Sequence, residues 1–159
     1  MLVVTMSEAP LQSAVQELKR ADHSITVSLK YTRTVDVIKS IIDRLINTID
    51  FCLEALLEHA KEEGNLSEVP KLPRLKAEKA KELFKDDSII PDFCDFFLLL
   101  RRISKASFDR AQEFRRHVTM TAYLDTGDSV EVTIDIISDY FERTREFFNH
   151  VSRLVNSSE

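Results

Sequence analysis

The stretch VDVIKSIIDRLINTIDFCLEALLEHAKEE, from Val35 to Glu63, decides the fold class of this chain. Its apolar residues recur at intervals of three and four, which is the period of one face of an α-helix. The seam consists of Val35, Ile38, Ile42, Leu45, Ile49, Cys52 and Leu56, and it is widened by Ile41, Ile46, Leu53 and Ala60. We therefore predict one long helix with a broad buried face, capped by Thr34 and ended by Gly64.

Two shorter helices flank the long one in the chain. The first begins at Ser7 and ends near His23, and the second is a heavily charged segment over 74–85 with a thin apolar edge. Between the first helix and the long helix, residues 24–33 alternate apolar and polar side chains, which is the pattern of a strand. Because the sequence offers no second convincing strand to pair with it, we expect an extended linker or the irregular start of the long helix.

An almost wholly apolar helix begins at Pro91, and a helix of that kind is central in a bundle. Its pattern blurs over 104–107, where a bend or break fits, and we expect Ala111, Phe114 and Val118 to carry its core face on to about Tyr123. A turn and a brief strand-like segment follow, and Thr133 or Asp135 opens the last helix. The prediction is an all-α protein, built as an antiparallel bundle of about four to five helices.

Composition limits the class of protein. A chain of 159 residues predicts one domain over 1–159, with a frayed start at 1–6 and a polar tail at 156–159. The net charge of −5 means that any contact with nucleic acid has to be local. Cys52 and Cys94 lie in apolar helical patterns without CxxC spacing, so we expect free thiols in a cytoplasmic protein. No apolar run approaches the ~20 residues that a membrane span needs.

A second stretch, LLLRRISKASFDRAQEFRRH from Leu98 to His117, begins apolar and ends as the most basic segment of the chain. On the predicted helix, Arg110 and His117 are about 20° short of two full turns apart, so both lie on one face. Arg143 and His150 repeat this spacing within the same R-x-x-E-F-x-x-H pattern, which we interpret as a coincidence of helical surface design. A solvated basic face that balances acidic faces elsewhere is the plain alternative for the whole stretch.

Long antiparallel helices with an Arg and a following His late in the chain resemble the HEPN family of helical domains, many of which are metal-independent RNases. The resemblance implies that Arg110 holds the scissile phosphate and that His117 relays a proton. The RNA 2′-hydroxyl would then attack its own phosphate, and Arg110 would offset the developing charge. The remaining arginines of the stretch would attract the RNA backbone: Arg101, Arg102, Arg115 and Arg116.

The apolar surface also predicts a homodimer. The run Phe93–Leu100, together with Tyr140, Phe141, Phe147 and Phe148, supplies more apolar area than one helical seam needs. Surplus apolar patches of that kind mark interfaces. The resemblance agrees, because HEPN proteins commonly pair their motifs across a dimer.

Three functions from different classes remain open on the sequence. The first is a HEPN-like RNase or toxin component that acts on RNA. The second is a non-catalytic helical binding module that partners a nucleotidyltransferase, as some HEPN relatives do, or another protein. The third is an unrelated helical bundle that serves in assembly. The sequence has no Gly-rich phosphate loop, no GxSxG motif and no zinc-type Cys/His spacing, so we expect neither a cofactor nor a metal.

Overall fold

The computed structural model describes residues 5–157. Its helices are α1 (Glu8–His23), α2 (Val35–Glu62), α3 (Pro73–Leu83), α4 (Ile90–Lys105) and α5 (Ile134–Asn156). Three strands lie between α4 and α5, namely β1 (Ser107–Ala111), β2 (Thr119–Tyr123) and β3 (Ser129–Val132). Of the frayed start and polar tail predicted from the sequence, residues 1–4 and 158–159 lie outside the described range.

The long helix α2 forms the centre of the molecule and contacts α1, α3, α4 and α5. Its start is the predicted one, because the side chain of Thr34 accepts a 3.3 Å hydrogen bond from the backbone N–H of Val37. Its end is also the predicted one. Gly64 has a φ of +83°, and its N–H donates to the Lys61 carbonyl oxygen at 3.0 Å. Every residue of the seven-member seam is fully buried, as the spacing predicts.

Two pairs of neighbouring helices run antiparallel, α1 with α2 and α4 with α5. Glu17 on α1 forms an ion pair with Arg44 on α2 at 3.2 Å, and α1 continues past it towards the start of α2. On the other side, α4 and α5 run antiparallel, because Phe93 stacks on Phe147 at 4.5 Å while Phe96 meets Tyr140 at 5.2 Å. These ring contacts place inside the chain much of the aromatic surface from which we predicted a homodimer.

Residues 24–31 are helical, so the expectation of an extended linker or of the start of α2 is wrong. The segment extends α1 through a π-helical turn, Ser24–Ser28, and a final α-helical turn, Leu29–Tyr31. Helix satisfies the backbone groups of this segment internally, whereas a lone strand would leave them unpaired. Leu29, which is buried, fixes the extension to the core.

The predicted continuation of the Pro91 helix to about Tyr123 is also wrong. Helix α4 ends at Lys105, and the chain then forms an antiparallel sheet in the order β1-β2-β3. The register pairs Ser107 with Tyr123 at the α4 end of the β1–β2 hairpin and Ala111 with Thr119 at its loop end. The protein is therefore mostly helical with a small sheet, and it is not purely α.

One face of the sheet packs against the helices. Met120 and Ala122 on β2 and Val132 on β3 are fully buried, whereas the alternate residues on the other face contact solvent or are partly exposed. This is the period of two expected for a strand with one buried face. The brief strand-like segment noted before the last helix is β3, and Thr133 caps α5 by accepting from the Ile136 N–H at 3.2 Å.

Cys52 and Cys94 are free and buried, as the sequence predicts. Burial raises the pKa of both thiols, that of Cys94 to about 12, so both are protonated at neutral pH. Within residues 5–157, no helix is long and apolar enough to cross a membrane.

Candidate nucleic-acid interface at the β1–β2 loop

Arg110 and His117 do not share a helix face. Arg110 lies on strand β1, opposite Met120, and His117 lies in the loop before β2. His117 is exposed, and its carbonyl oxygen accepts a 2.8 Å hydrogen bond from Thr119 Oγ1. Within the described chain, no hydrogen bond or ion pair joins the side chains of Arg110 and His117. The shared helix face from which we predicted that Arg110 and His117 act together is therefore absent.

Arg110 is held by two carboxylates. Its Nη2 donates to Asp36 Oδ1 at 2.8 Å, and its Nη1 donates to Glu113 Oε1 at 3.2 Å. The guanidinium also lies over the ring of Phe108, 5.2 Å from the centroid. The hydrogen bond from Arg110 lowers the pKa of Asp36, and the bonds to Asp36 and Glu113 raise the pKa of Arg110. The guanidinium therefore ties strand β1 to the start of α2.

The loop from Gln112 to His117 is fixed to the same point by two further bonds. Glu113 Oε2 accepts from the N–H of Val35 at 3.3 Å, which places a carboxylate at the positive end of α2. The N–H of Phe114 donates to the carbonyl oxygen of Arg33 at 2.7 Å. Gln112 and Phe114 have φ values of +56° and +64°, a conformation that residues other than glycine rarely adopt. The surrounding contacts hold the loop in this strained shape.

The strained loop presents an aromatic ring to solvent. The side chain of Phe114 is 76% exposed, and the three residues that follow it, Arg115, Arg116 and His117, are exposed as well. A second ring lies close by in the chain segment bonded to the loop, since Tyr31, two residues before Arg33, is 78% exposed. We call the two segments 30–33 and 112–117 together the loop end of the molecule.

The loop end carries cations that are not neutralised. Lys30, Arg33, Arg115 and Arg116 form no ion pair with any carboxylate of residues 5–157. The nearby carboxylates Asp36 and Glu113 are both paired with Arg110. In addition, Arg33 Nε is buried and has no hydrogen-bond partner in the described part of the chain. A net positive patch of this kind is suited to an anion with oxygen acceptors.

The arginines predicted to attract RNA fall into two separate groups. Arg115 and Arg116 belong to the loop end. Arg101 and Arg102 lie near the end of α4, beside the opposite end of the β1–β2 hairpin. Arg101 lies over the ring of Phe97, 5.8 Å from the centroid. The five-residue strands separate the two groups by roughly 13 Å along the hairpin.

The second copy of the R-x-x-E-F-x-x-H pattern has a different structure from the first. Arg143 and His150 lie on α5, and Arg143 is 4.2 Å from the centroid of the Phe96 ring. His150 Nε2 lies 3.0 Å from both carboxylate oxygens of Asp87. The same letters therefore form a strand and loop in one place and a helix in the other.

Sequence reasoning missed three residues of the loop end. The helical pattern assigned Phe114 to the core, yet its ring is among the most exposed in the molecule. Tyr31 and Arg33 went unnoticed because they lie far from the basic stretch in sequence. A non-helical pattern in 107–123 was the available signal, since β-branched Thr residues and Val118 cluster there.

No group of three or more His, Cys, Asp or Glu residues within 5–157 is arranged to hold a metal ion. No family model matches the chain, and comparison with curated proteins and with solved structures found no match. The HEPN resemblance, the nucleotidyltransferase partner, the homodimer and the cytoplasmic location therefore stay predictions.

Proposed function

We propose that this protein binds single-stranded RNA at the loop end and does not cleave it. The observation that carries the proposal is Phe114, an aromatic ring 76% exposed on a loop whose backbone is fixed in a strained conformation. A large apolar ring held out in solvent gains nothing from burial in the fold, and we assign it to contact with a partner. The arginines beside it favour a partner that carries phosphates.

Single-stranded RNA matches both features of the loop end. An unstacked base can pack on Phe114 or Tyr31, and stacking on an aromatic side chain is worth about 1–3 kcal/mol per base. Arg115 and Arg116 follow Phe114 directly, so they can reach the phosphates next to a stacked base. Duplex RNA offers the phosphates but keeps its bases stacked on one another.

The fixed loop adds to affinity. Because the Phe114 N–H is bonded to Arg33 and Glu113 is bonded to Val35, the ring is ordered before RNA arrives. Binding therefore loses little loop entropy, which is the cost that preorganisation removes.

The arrangement favours binding over cleavage. The Arg110 guanidinium already donates to two carboxylates, so a phosphate would have to compete with Asp36 and Glu113 for it. His117 forms no hydrogen bond or ion pair with the Arg110 side chain in the described chain. The HEPN-like RNase that we predicted from the sequence is the alternative to this proposal, and the experiment below separates the two.

The proposal is tested by fluorescence anisotropy with a labelled single-stranded RNA of about twelve nucleotides. The blunt duplex of the same sequence is the control. We expect the single strand to bind at least about tenfold more tightly than the duplex, and we expect the RNA to stay intact. Equal binding of the two forms would contradict the proposal. Cleavage that persists in a chelator and disappears in His117→Ala would favour the RNase instead.

A further inference from the structure

A cavity of about 460 Å³ lies at the opposite end of α2 from the loop end. It opens between the C-terminal ends of α2, α3 and α5. Its apolar wall is formed by Leu83, Phe84 and Leu154, and its polar wall by His59, Glu63 and Asn65. The volume lies in the range of small-molecule sites, about 300–1,000 Å³, and the mixture of an apolar wall with a few polar groups is also typical of them.

The lining of this cavity carries negative charge. Helices α2, α3 and α5 end at Glu62, Leu83 and Asn156, so three helix C-termini meet there. Each C-terminus carries a partial negative charge from carbonyl groups directed along the helix axis. Glu63 adds a full negative charge, and none of the described residues that line the cavity is Lys or Arg, although Lys61, Lys85 and Arg153 each follow or precede a lining residue in the chain.

The polar wall is ordered by contacts within the chain. Glu63 Oε1 lies 3.2 Å from His59 Nε2, and the Asn65 N–H donates to the Ala60 carbonyl oxygen at 2.9 Å. The side chain of Glu63 is nevertheless 46% exposed, so an incoming group can reach its carboxylate. The cavity lining therefore includes an accessible carboxylate, Glu63, and an aromatic ring, Phe84.

A second carboxylate borders the apolar wall. The N–H of Asp87 donates to the Phe84 carbonyl oxygen at 3.0 Å, and Asp87 is paired with His150. His150 lies one helical turn before Leu154 on the same face of α5. The surroundings thus add a second carboxylate close to the lining residues.

We propose that the cavity binds a small organic cation, an ammonium group carried on an apolar body. The ammonium would pair with Glu63 among the helix C-termini, and the apolar body would pack on Leu83, Phe84 and Leu154. An anion would be repelled by the negative helix ends, and a neutral molecule would form no ion pair with Glu63. This site is independent of RNA binding, because the 28 residues of α2 separate it from the loop end by about 40 Å.

Benzylamine is the probe for this proposal, with benzyl alcohol and benzoate as its neutral and anionic counterparts. The measurement is the shift of backbone amide signals in ¹⁵N-labelled full-length protein. We expect benzylamine to move the signals of Asn65, Phe84 and Leu154 with saturation in the millimolar range, and we expect the other two compounds to leave them in place. No saturable shift up to about 10 mM benzylamine, or equal shifts with benzyl alcohol or benzoate, would overturn the proposal.

Matched variants test the role of the carboxylate. Glu63→Gln should weaken benzylamine binding at least about fivefold. Glu62→Gln removes the same charge one residue earlier, outside the lining, and should change the affinity less than twofold. Both residues are exposed, so neither variant disturbs the core, and the dispersion of the amide spectrum checks the fold. Equal weakening by the two variants, or none by Glu63→Gln, would contradict a site built on Glu63.

Discussion

The backbone N–H of Phe114 donates a 2.7 Å hydrogen bond to the carbonyl oxygen of Arg33. This bond joins the β1–β2 loop to the turn between α1 and α2, and it brings two exposed aromatic residues, Tyr31 and Phe114, to one end of the molecule. It also accounts for the left-handed backbone at Phe114, because the bond holds the loop in a conformation that is otherwise unfavourable.

Arg110 is expected to be a positioning residue for this loop. Replacing it by Ala removes the ion pairs to Asp36 and Glu113, so the hydrogen-exchange protection of the Phe114 amide should fall and RNA affinity should drop several-fold. Arg74→Ala, which removes an exposed ion pair to Glu78 elsewhere, is the control and should leave both unchanged. Unchanged protection at Phe114 in Arg110→Ala would contradict the role.

The same ion pair predicts a pH dependence for the loop. Arg110 holds the pKa of Asp36 below its usual value near 3.8, so the pairing is fully present above that value. It is lost as the pH falls through the lowered pKa of the folded state. The protection factor at Phe114, corrected for intrinsic exchange, should therefore be constant from pH 7 to about 5 and fall below about 4. A fall that begins near pH 6 would indicate a histidine instead.

Asp87 is expected to stabilise the start of α4. Its Oδ1 accepts hydrogen bonds from the N–H groups of Ile89 at 2.8 Å and Ile90 at 2.9 Å, so Asp87→Ala should cost about 1–2 kcal/mol in unfolding free energy. Asp86→Ala, at the exposed neighbouring position, should cost less than about 0.5 kcal/mol. Chemical denaturation measures both changes, and equal losses would refute the assignment.

The acid dependence of that contribution has a defined sign. Burial alone would raise the pKa of Asp87, but the bonds from Ile90, Ile89 and His150 outweigh it, and the pKa is lowered. The stabilisation is thus present above the unfolded value of about 3.9 and is lost as the pH falls through the folded value. The difference in stability between the wild type and Asp87→Ala should shrink in strong acid. A difference that stays constant down to pH 2 would contradict this linkage.

The core of α2 gives a test of the fold itself. Ile49 is fully buried, so Ile49→Ala should cost about 2–5 kcal/mol through lost burial and a new cavity. Ile136, on α5, is 38% exposed, and the same replacement there should cost less than about 1 kcal/mol. Thermal or chemical denaturation compares the unfolding free energies of the two variants. Similar losses at both positions would mean that the buried faces are assigned wrongly.

Salt dependence separates the arginines of the loop from cations elsewhere. Replacing Arg115 and Arg116 together by Ala should make the slope of log affinity against log salt shallower by about 1.4, because two phosphate contacts to a single strand are lost. The matched control replaces Lys85 and Arg153, exposed cations at the far end of the bundle, and should leave the slope unchanged. Equal changes in both would show that net charge alone governs binding.

The sequence predicted the helices well where their buried faces are long. In α2, each of the seven seam residues is buried, because many independent positions agree on one period. The pattern failed in 107–123, where only Ala111, Phe114 and Val118 indicated a helix. The segment instead forms β1 and β2, and β2 pairs with both β1 and β3, contacts that a local pattern does not reveal.

The candidate site was predicted only in part. The exposed arginines Arg115 and Arg116 were found, since charge can be read directly from sequence. The role of Arg110 could not be predicted from the sequence, because its partner Asp36 lies on a distant segment. Phe114 was assigned to the core because a helical period places it there, whereas a turn with positive φ exposes its ring.

Replacement of Phe114 tests the central claim most directly. Phe114→Ala removes the ring from an exposed position, so the fold should persist while the dissociation constant for single-stranded RNA rises about 5- to 160-fold, the loss of one stacked base. Tyr123→Ala is the control, because that ring is also exposed, at 47%, but lies at the opposite end of the hairpin. In an anisotropy titration at fixed salt, we expect weakened binding for Phe114→Ala and wild-type binding for Tyr123→Ala. Wild-type affinity in Phe114→Ala would contradict RNA binding at the loop end.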